Sequence, residues 1–187
     1  MDKVTHYDDK FYDDQADGSL SSALRVVPLV FDKYHPKDIV DVGCGIGTWA
    51  SVFEKYGCEA LGIDGDYVSR DRVLIKKYLP VDISESFKVE YKFDLAVCLE
   101  VAEHLPFERS DSFIHDLTQL SDHILFSAAT PGQGGTNHIN EQPLDFWEKL
   151  FNKYGYFMYD EIRPLIAELD DVAWWYKNNI VVFERAQ

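Results

Sequence analysis

Apolar residues in this chain recur at two different periods, and the changes of period divide it into alternating strands and helices. Val26, Val27, Leu29, Val30 and Phe31 lie at helical spacing behind Ser19 and Ser21, either of which can serve as the N-cap, and His35-Pro36 ends the run. The polar and aromatic stretch ahead of it, up to Asp17-Gly18-Ser19, reads as a loosely packed arm. Ile39-Val40-Asp41-Val42 is a short β-branched run that stops at a glycine cluster, as a buried strand does. Thr48 to Tyr56 returns to helical spacing, with Trp49, Val52 and Phe53 on one side and Gly57 as the closing cap. Strands are predicted next at Ala60–Ile63, Tyr78–Val81 and Phe93–Leu99, running into Asp64, Asp82 and Glu100. An amphipathic helix covers Phe107–Leu120, a strand His123–Ala128 and a helix Pro143–Tyr154. Two late strands follow at Tyr156–Tyr159 and Ile180–Phe183.

Strands alternating with helices specify an α/β fold: a doubly wound, mostly parallel seven-stranded sheet with helices on both faces. One domain accounts for all 187 residues, with an N-terminal arm and helix over 1–36 and a core over 37–187.

Charge then narrows the partners. The net charge is −15 and lysine and arginine form no block, so the chain's field repels nucleic acid, whose phosphates demand neutralisation. Anionic membrane surfaces are disfavoured for the same reason. A neutral or cationic small substrate, or a neutral glycan, suits this field. No apolar run approaches the roughly 20 residues that span a bilayer. The acidic start, Met1 to Asp9, has no apolar signal core, so a cytoplasmic location is expected. Cys44, Cys58 and Cys98 show no CxxC spacing and fall in apolar stretches, so they are expected as thiols in a reducing compartment.

The first chemical signal is Asp41-Val42-Gly43-Cys44-Gly45-Ile46-Gly47-Thr48-Trp49. A strand ends, three glycines follow at alternate positions, and a helix begins. Glycine lets the chain turn sharply and lets a ligand approach the backbone. A dinucleotide site needs G-x-G-x-x-G, and this loop lacks that register, which argues against a nicotinamide oxidoreductase. The loop closely resembles motif I of the class I S-adenosylmethionine methyltransferases, and the expected fold is therefore their Rossmann-like one. That resemblance implies a loop of Gly43, Cys44, Gly45 and Gly47 under the cofactor's amino-acid portion, with Asp41 anchoring the loop or the amino group. Asp64 matches the acid that binds the ribose hydroxyls, a good bidentate acceptor for a cis-diol. Asp82-Ile83 resembles the adenine-contacting segment, and Leu99 ends the strand that faces the methyl donor.

Glu100-Val101-Ala102-Glu103-His104 is the second signal. Two carboxylates and an imidazole stand at a strand's C-terminal end, where open α/β sheets place their sites. The glycine-rich segment Thr130 to His138 follows the fifth predicted strand and reaches the same edge, so Glu100, Glu103, His104 and His138 converge. The set is similar to the E-x-x-E-H plus distant His pattern of metal-assisted O-methyltransferases. Mixed carboxylate and imidazole ligands suit Mg²⁺, Mn²⁺ or Zn²⁺, and a metal would lower the pKa of a substrate hydroxyl. The alternative is a metal-free site in which His104 or His138 is the base and Glu100 positions the cofactor.

The third signal is aromatic: Trp147, then Trp174-Trp175-Tyr176-Lys177-Asn178-Asn179. Indole faces stack on sugar rings while amides and amines bond the hydroxyls, and the same rings would also serve to pack the last strand and helix. Asn137 to Pro143 together with Trp174 to Asn179 looks like a methyltransferase subfamily linked to glycan assembly, sometimes fused to glycosyltransferases. That resemblance implies a sugar or glycan acceptor, contacted by Trp174, Trp175 and Asn137, and a place as one domain of a larger glycan-assembly protein. A small aromatic or quinone-type metabolite is the competing acceptor, and a catalytically silent methyltransferase-like binding module is the competing class.

Overall fold

The strands Asp38–Val42 (β1), Glu59–Asp64 (β2), Lys77–Pro80 (β3), Leu95–Leu99 (β4), His123–Ser127 (β5), Tyr156–Tyr159 (β6) and Val181–Arg185 (β7) make one sheet in the order β3-β2-β1-β4-β5-β7-β6. The computed structural model describes residues 9–186, with side chains from Gly18 onward. β7 pairs antiparallel with β5 and β6, and every other pairing is parallel. Strand order reverses between β1 and β4, which opens a crevice at their C-terminal ends. The fold is the doubly wound, mostly parallel α/β sheet that the alternation of periods implies, and it is Rossmann-like, as the resemblance implies.

Side-chain alternation along the strands supplies both cores. Ile39, Leu95, Val97, Leu125 and Val182 face one layer, packed by Ala23, Val26, Val27 and Val30 of α1 (Asp9–Tyr34) and by Trp49, Val52 and Phe53 of α2 (Thr48–Lys55). Val40, Val42, Ala96, Cys98, Ile124, Phe126 and Phe183 face the other. There they meet Phe113, Ile114 and Leu117 of α3 (Ser110–Leu120) and Trp147 and Phe151 of α4 (Leu144–Lys153). Gly57 closes α2 as expected, its amide and that of Cys58 returning to the carbonyls of Glu54 and Phe53. The three cysteines are free thiols, two buried and Cys44 half-buried.

Four expectations need correction. The stretch up to Gly18 is no loose arm over its described part, because α1 begins at Asp9 and runs unbroken through Ser19; residues 1–8 lie outside the described residues. Ser19 and Ser21 therefore cap nothing. The hydroxyls of Ser21 and Ser22 turn back on the Gly18 carbonyl within the helix, and Ser22 Oγ also accepts the Ala173 amide at 2.9 Å. The helix expected from Phe107 is split into a single 3₁₀ turn, Phe107–Arg109, followed by α3. Finally, two short helices, α5 (Arg163–Ile166) and α6 (Trp174–Asn179), lie where no helix was expected.

Among the described residues, no helix is long and apolar enough to cross a membrane.

Candidate active site

The glycine loop leaves β1 through backbone that only glycine adopts comfortably, with φ +75° at Gly43 and +83° at Gly47. Space excludes side chains as well, since a Cβ on Gly43 would lie 2.4 Å from Val101 Cγ2. The amides of Gly43 and Cys44 bond the Ile63 carbonyl, and that of Gly45 donates to Asp64 Oδ2 at 2.6 Å. Asp64 thus clamps the loop with one oxygen. Its other oxygen accepts from the Gly65 amide and from the Tyr67 hydroxyl. Tyr67 is half-exposed. Cys44 fills the space over Gly62, where a Cβ would lie 2.6 Å from its sulfur, and burial pushes its thiol pKa up.

Asp41 sits beneath the loop, buried, and its Oδ2 has no partner. Burial pushes its pKa up to about 7, the Ala50 amide opposes that rise, and nearby Asp64 adds to it. An unpaired anionic oxygen under a ligand loop suits a cationic group such as the cofactor's ammonium.

β4 ends at Leu99, and Glu100 follows at φ +54°, a left-handed conformation that side chains rarely adopt. A 3₁₀ turn, Ala102–His104, then carries Glu103 and His104. Glu103 is fully buried, and its carboxylate oxygens have no side-chain partner and no hydrogen bond of ordinary geometry. Burial, with Glu100 nearby, holds its pKa well above the usual carboxylate range, and the amides of Glu103 and Ala129 oppose that rise. His104 Nδ1 lies 3.3 Å from the Asn137 carbonyl, and His138 Nδ1 lies 3.1 Å from Glu141 Oε1. The two rings meet edge to face with centroids 4.9 Å apart. Donor atoms of Glu103, His104 and His138 all fall within 4.8 Å of one another. Burial and His138 pull the His104 pKa down to about 4, so this imidazole is neutral at pH 7, the form that ligates a metal and a weak general base. Glu141 also accepts the amides of Gly132 and Gly134, which ties the glycine-rich loop down around His138.

A cleft of about 460 Å³ joins these parts. Gly43, Thr48, Trp49, Leu99, His104, His138, Trp174 and Trp175 are among the residues that line it. Trp174 is half-exposed.

Some expected site residues lie elsewhere. Glu100 lines the cleft but falls outside the three-residue donor cluster, because Gln133 Nε2 at 2.8 Å and Asn179 Nδ2 at 3.2 Å hold its carboxylate. Asn137 contributes only its carbonyl, toward His104, while its side chain is exposed and off the cleft lining. Asp82 and Ile83 also lie off that lining. Asp82 turns back to cap Ser84, at 3.1 Å from the amide and 2.5 Å from the hydroxyl. Ile83 points into the second core, and its carbonyl accepts from Arg109, whose guanidinium is in a buried pair with Asp116 at 2.6 Å. Trp147 is core, 1% exposed against Phe126 and Phe146.

A family model described as a methyltransferase domain matches residues 13–178, nearly the whole chain. The chain belongs to that family. It is an S-adenosylmethionine-dependent methyltransferase domain. The ubiquinone biosynthesis O-methyltransferase of Acinetobacter baylyi is 28% identical over 102 residues, 49% of this chain and 43% of that protein, so the match spans less than half of the relative. Magnesium protoporphyrin IX methyltransferase from Synechocystis PCC 6803, solved with SAM bound, superposes with a TM-score of 0.67 at 18% identity, over 97% of this chain and 86% of that one. The sugar N-methyltransferase KedS8 from Streptoalloteichus sp ATCC 53650 reaches 0.74 at 13% identity, over 100% and 96%. At these identities the two structures show a shared fold.

Residues lining or bracing the cleft that sequence reasoning missed are Glu141, Gln133 and Ser19. Glu141 lies three positions from His138, a spacing that hints at a partner for the imidazole. The other two have no local signal, because their partners are 33 and 157 positions away.

Proposed function

We propose that this methyltransferase moves the methyl group of S-adenosylmethionine to a hydroxyl oxygen of a sugar or glycan, at a site that holds a divalent cation. One observation carries the metal: the buried Glu103 carboxylate, which has no side-chain partner, beside two imidazoles that are each held from behind through Nδ1. Back-side bonds of this kind fix the ring orientation of ligating histidines. Glu103, His104 and His138 would hold Mg²⁺ or Mn²⁺. Such an ion would supply Lewis acidity that lowers the pKa of the hydroxyl to be methylated.

The chain's own residues do the positioning. The loop from Gly43 to Gly47, with Asp41 and Asp64, holds the donor. Its sulfonium is already activated, so alignment does most of the work, which in favourable cases supplies roughly 7–11 kcal/mol. Trp174 and Trp175, in the cleft lining, offer apolar ring faces to a sugar. The fold shared with a sugar N-methyltransferase is consistent with such an acceptor. A reducing, cytoplasmic setting and a role beside glycan-assembly enzymes fit this assignment.

The test is incubation with labelled donor and a panel of sugars, nucleotide sugars and glycans, read by mass spectrometry, with and without EDTA. Methylation that EDTA abolishes and Mn²⁺ restores supports the proposal. Methylation indifferent to EDTA removes the metal, and labelling of aromatic or quinone metabolites alone removes the sugar. That second acceptor class is included because of the likeness to the ubiquinone biosynthesis enzyme.

A further inference from the structure

The stretch of cleft lining that carries His138 has little backbone scaffolding of its own. Between Thr130 and His138, φ is positive at Gly132 (+88°), Gly134 (+70°) and Asn137 (+59°), a backbone that continues neither helix nor strand. Within itself the stretch makes one backbone hydrogen bond, from the Gln133 amide to the Thr130 carbonyl at 3.0 Å. Yet it supplies Gln133, Gly134, Gly135, Thr136 and His138 to the lining. Side chains hold it. Glu141, outside the lining, accepts the Gly132 and Gly134 amides at 2.7 Å each.

The second anchor is Gln133, a side chain of the loop itself. Its Nε2 donates to Glu100 Oε2 over 2.8 Å, and its Oε1 accepts from Asn179 Nδ2 over 2.8 Å and from the Thr130 amide over 3.3 Å. Asn179 Nδ2 also reaches Glu100 Oε1 at 3.2 Å. One amide group thus ties the loop to the end of β4 and to α6. An ionised carboxylate only accepts, so Nε2 is the end that faces Glu100. A glutamate here would set like charge against Glu100, and an apolar side chain of this length would make neither bond. Glu100, which takes the bond, holds a left-handed backbone at φ +54°, and such strain persists where the surroundings over-determine it, most often at functional sites.

We propose that Gln133 is a positioning residue: seated on Glu100 and Asn179, it fixes the glycine-rich part of the cleft lining and, through it, the placement of His138 beside His104. It rests on the roles proposed for those two histidines and on neither the acceptor nor the ion. Touching no reacting atom, it acts on the reaction only through His138 and the shape of the cleft.

NMR order parameters of the free protein test this without acceptor or ion. In the wild type the Gly132 and Gly134 amides should be rigid, at about 0.8 or more, and Gln133→Ala should drop them below about 0.6 while the amides of β4 and β5 stay rigid. Those two glycine amides bond Glu141 rather than Gln133, so the drop reports release of the loop and not loss of their own partner. Wild-type values already below about 0.6, or values unchanged in the variant, overturn the seat. Gln133→Glu keeps the length and sets a second carboxyl against Glu100. It should be mobile at pH 7 and regain rigidity at pH 5, where the two carboxyls share a proton. Cys98, Glu103 and Tyr176, the titratable neighbours of Glu100, are present in the wild type as well, which serves as the control at both pH values. Mobility that persists at pH 5 overturns the bond to Glu100. With whichever acceptor the labelled panel identifies, Gln133→Ala should lower kcat at least about tenfold, the scale of a small misplacement of catalytic groups. A loosened loop with full kcat overturns the positioning role. A panel without labelled product overturns the acceptor assignment instead, and the order parameters still decide the seat.

Discussion

Replacing Asp41 by asparagine should make the free protein more stable and its grip on the donor weaker. The carboxyl is 4% exposed, one oxygen has no partner, and its pKa stands at about 7 against an ordinary 3.8. Because the folded pKa is raised, the native state keeps its proton while the unfolded chain has already lost one. Stability therefore falls as pH climbs from 3.8 to about 7 and is flat on either side of that window. At about 1.4 kcal/mol per unit, the ionised carboxylate costs the fold about 4 kcal/mol above pH 7. Asparagine has the same shape, keeps an acceptor for the Ala50 amide, and does not titrate. Urea unfolding of the Asp41→Asn variant at pH 8 should thus show up to about 4 kcal/mol more stability than the wild type, with the gap closing toward pH 4. Other acids titrate in both proteins and cancel in the difference. Titration with S-adenosylhomocysteine at pH 8 should show at least about tenfold weaker binding, since the ammonium loses its counter-charge. Equal stability at pH 8 would refute the claim that Asp41 is a buried, uncompensated anion. A gain in stability with unchanged affinity would refute its role toward the ammonium.

Other outcomes follow from the same geometry. His104→Ala and His138→Ala should each cut turnover by at least about tenfold while leaving donor affinity nearly intact, and normal turnover in both would remove them from the mechanism. Glu103→Gln should abolish stabilisation by Mn²⁺ in thermal melts without lowering the melting temperature of the metal-free protein; undiminished Mn²⁺ stabilisation would dismiss it as a ligand. Asp64→Ala should weaken donor binding by about tenfold or more, as measured by titration, because it removes both the loop clamp and the diol acceptor. Trp174→Ala should raise the KM for a sugar acceptor by about 2–10-fold with little change in kcat, and an unaltered KM would place the acceptor elsewhere.

The sheet was legible because burial on both faces writes a short, dense signal. In β4, Leu95, Val97 and Leu99 face one core while Ala96 and Cys98 face the other, so the run is apolar throughout and its ends are sharp. The carboxylates were legible for a related reason: a charged residue directly after such a run stands at the strand's C-terminal edge. What stayed hidden depended on distance along the chain. Glu100 read as a fourth ligand because its spacing to Glu103 and His104 allows it, but Gln133 and Asn179, 33 and 79 positions away, claim its oxygens. Asp82 was expected as a cofactor contact from its resemblance and its place after β3, and no spacing announced the local bonds it makes to Ser84. The start of α1 was missed because Gly18 and two serines mark helix ends by propensity, and tertiary burial of Ala23, Val26 and Val30 overrides that preference. Trp174 to Asn179 was read only for chemistry, and its six-residue helix is too short to show a period.

Three of the five buried polar side-chain atoms without a partner among the described residues belong to two carboxyls, Asp41 and Glu103. Left to stability alone, such positions would hold amides or apolar side chains, because an unpaired buried charge is among the costlier things a fold can carry. Both acids sit at C-terminal strand edges, one under the glycine loop and one beside two back-bonded imidazoles. Each lacks the same thing, a positive charge that no lysine or arginine of the cleft provides. A cationic donor and a divalent ion are the two ligands that would supply it. Their binding would then recover free energy that folding had left unsatisfied, so ligand-induced stabilisation should exceed what contact area alone predicts. Thermal shifts measured with donor and Mn²⁺ together, against each alone, would expose that excess. Shifts that vanish at pH 5, where Asp41 is protonated, would tie the donor's part of it to that carboxyl.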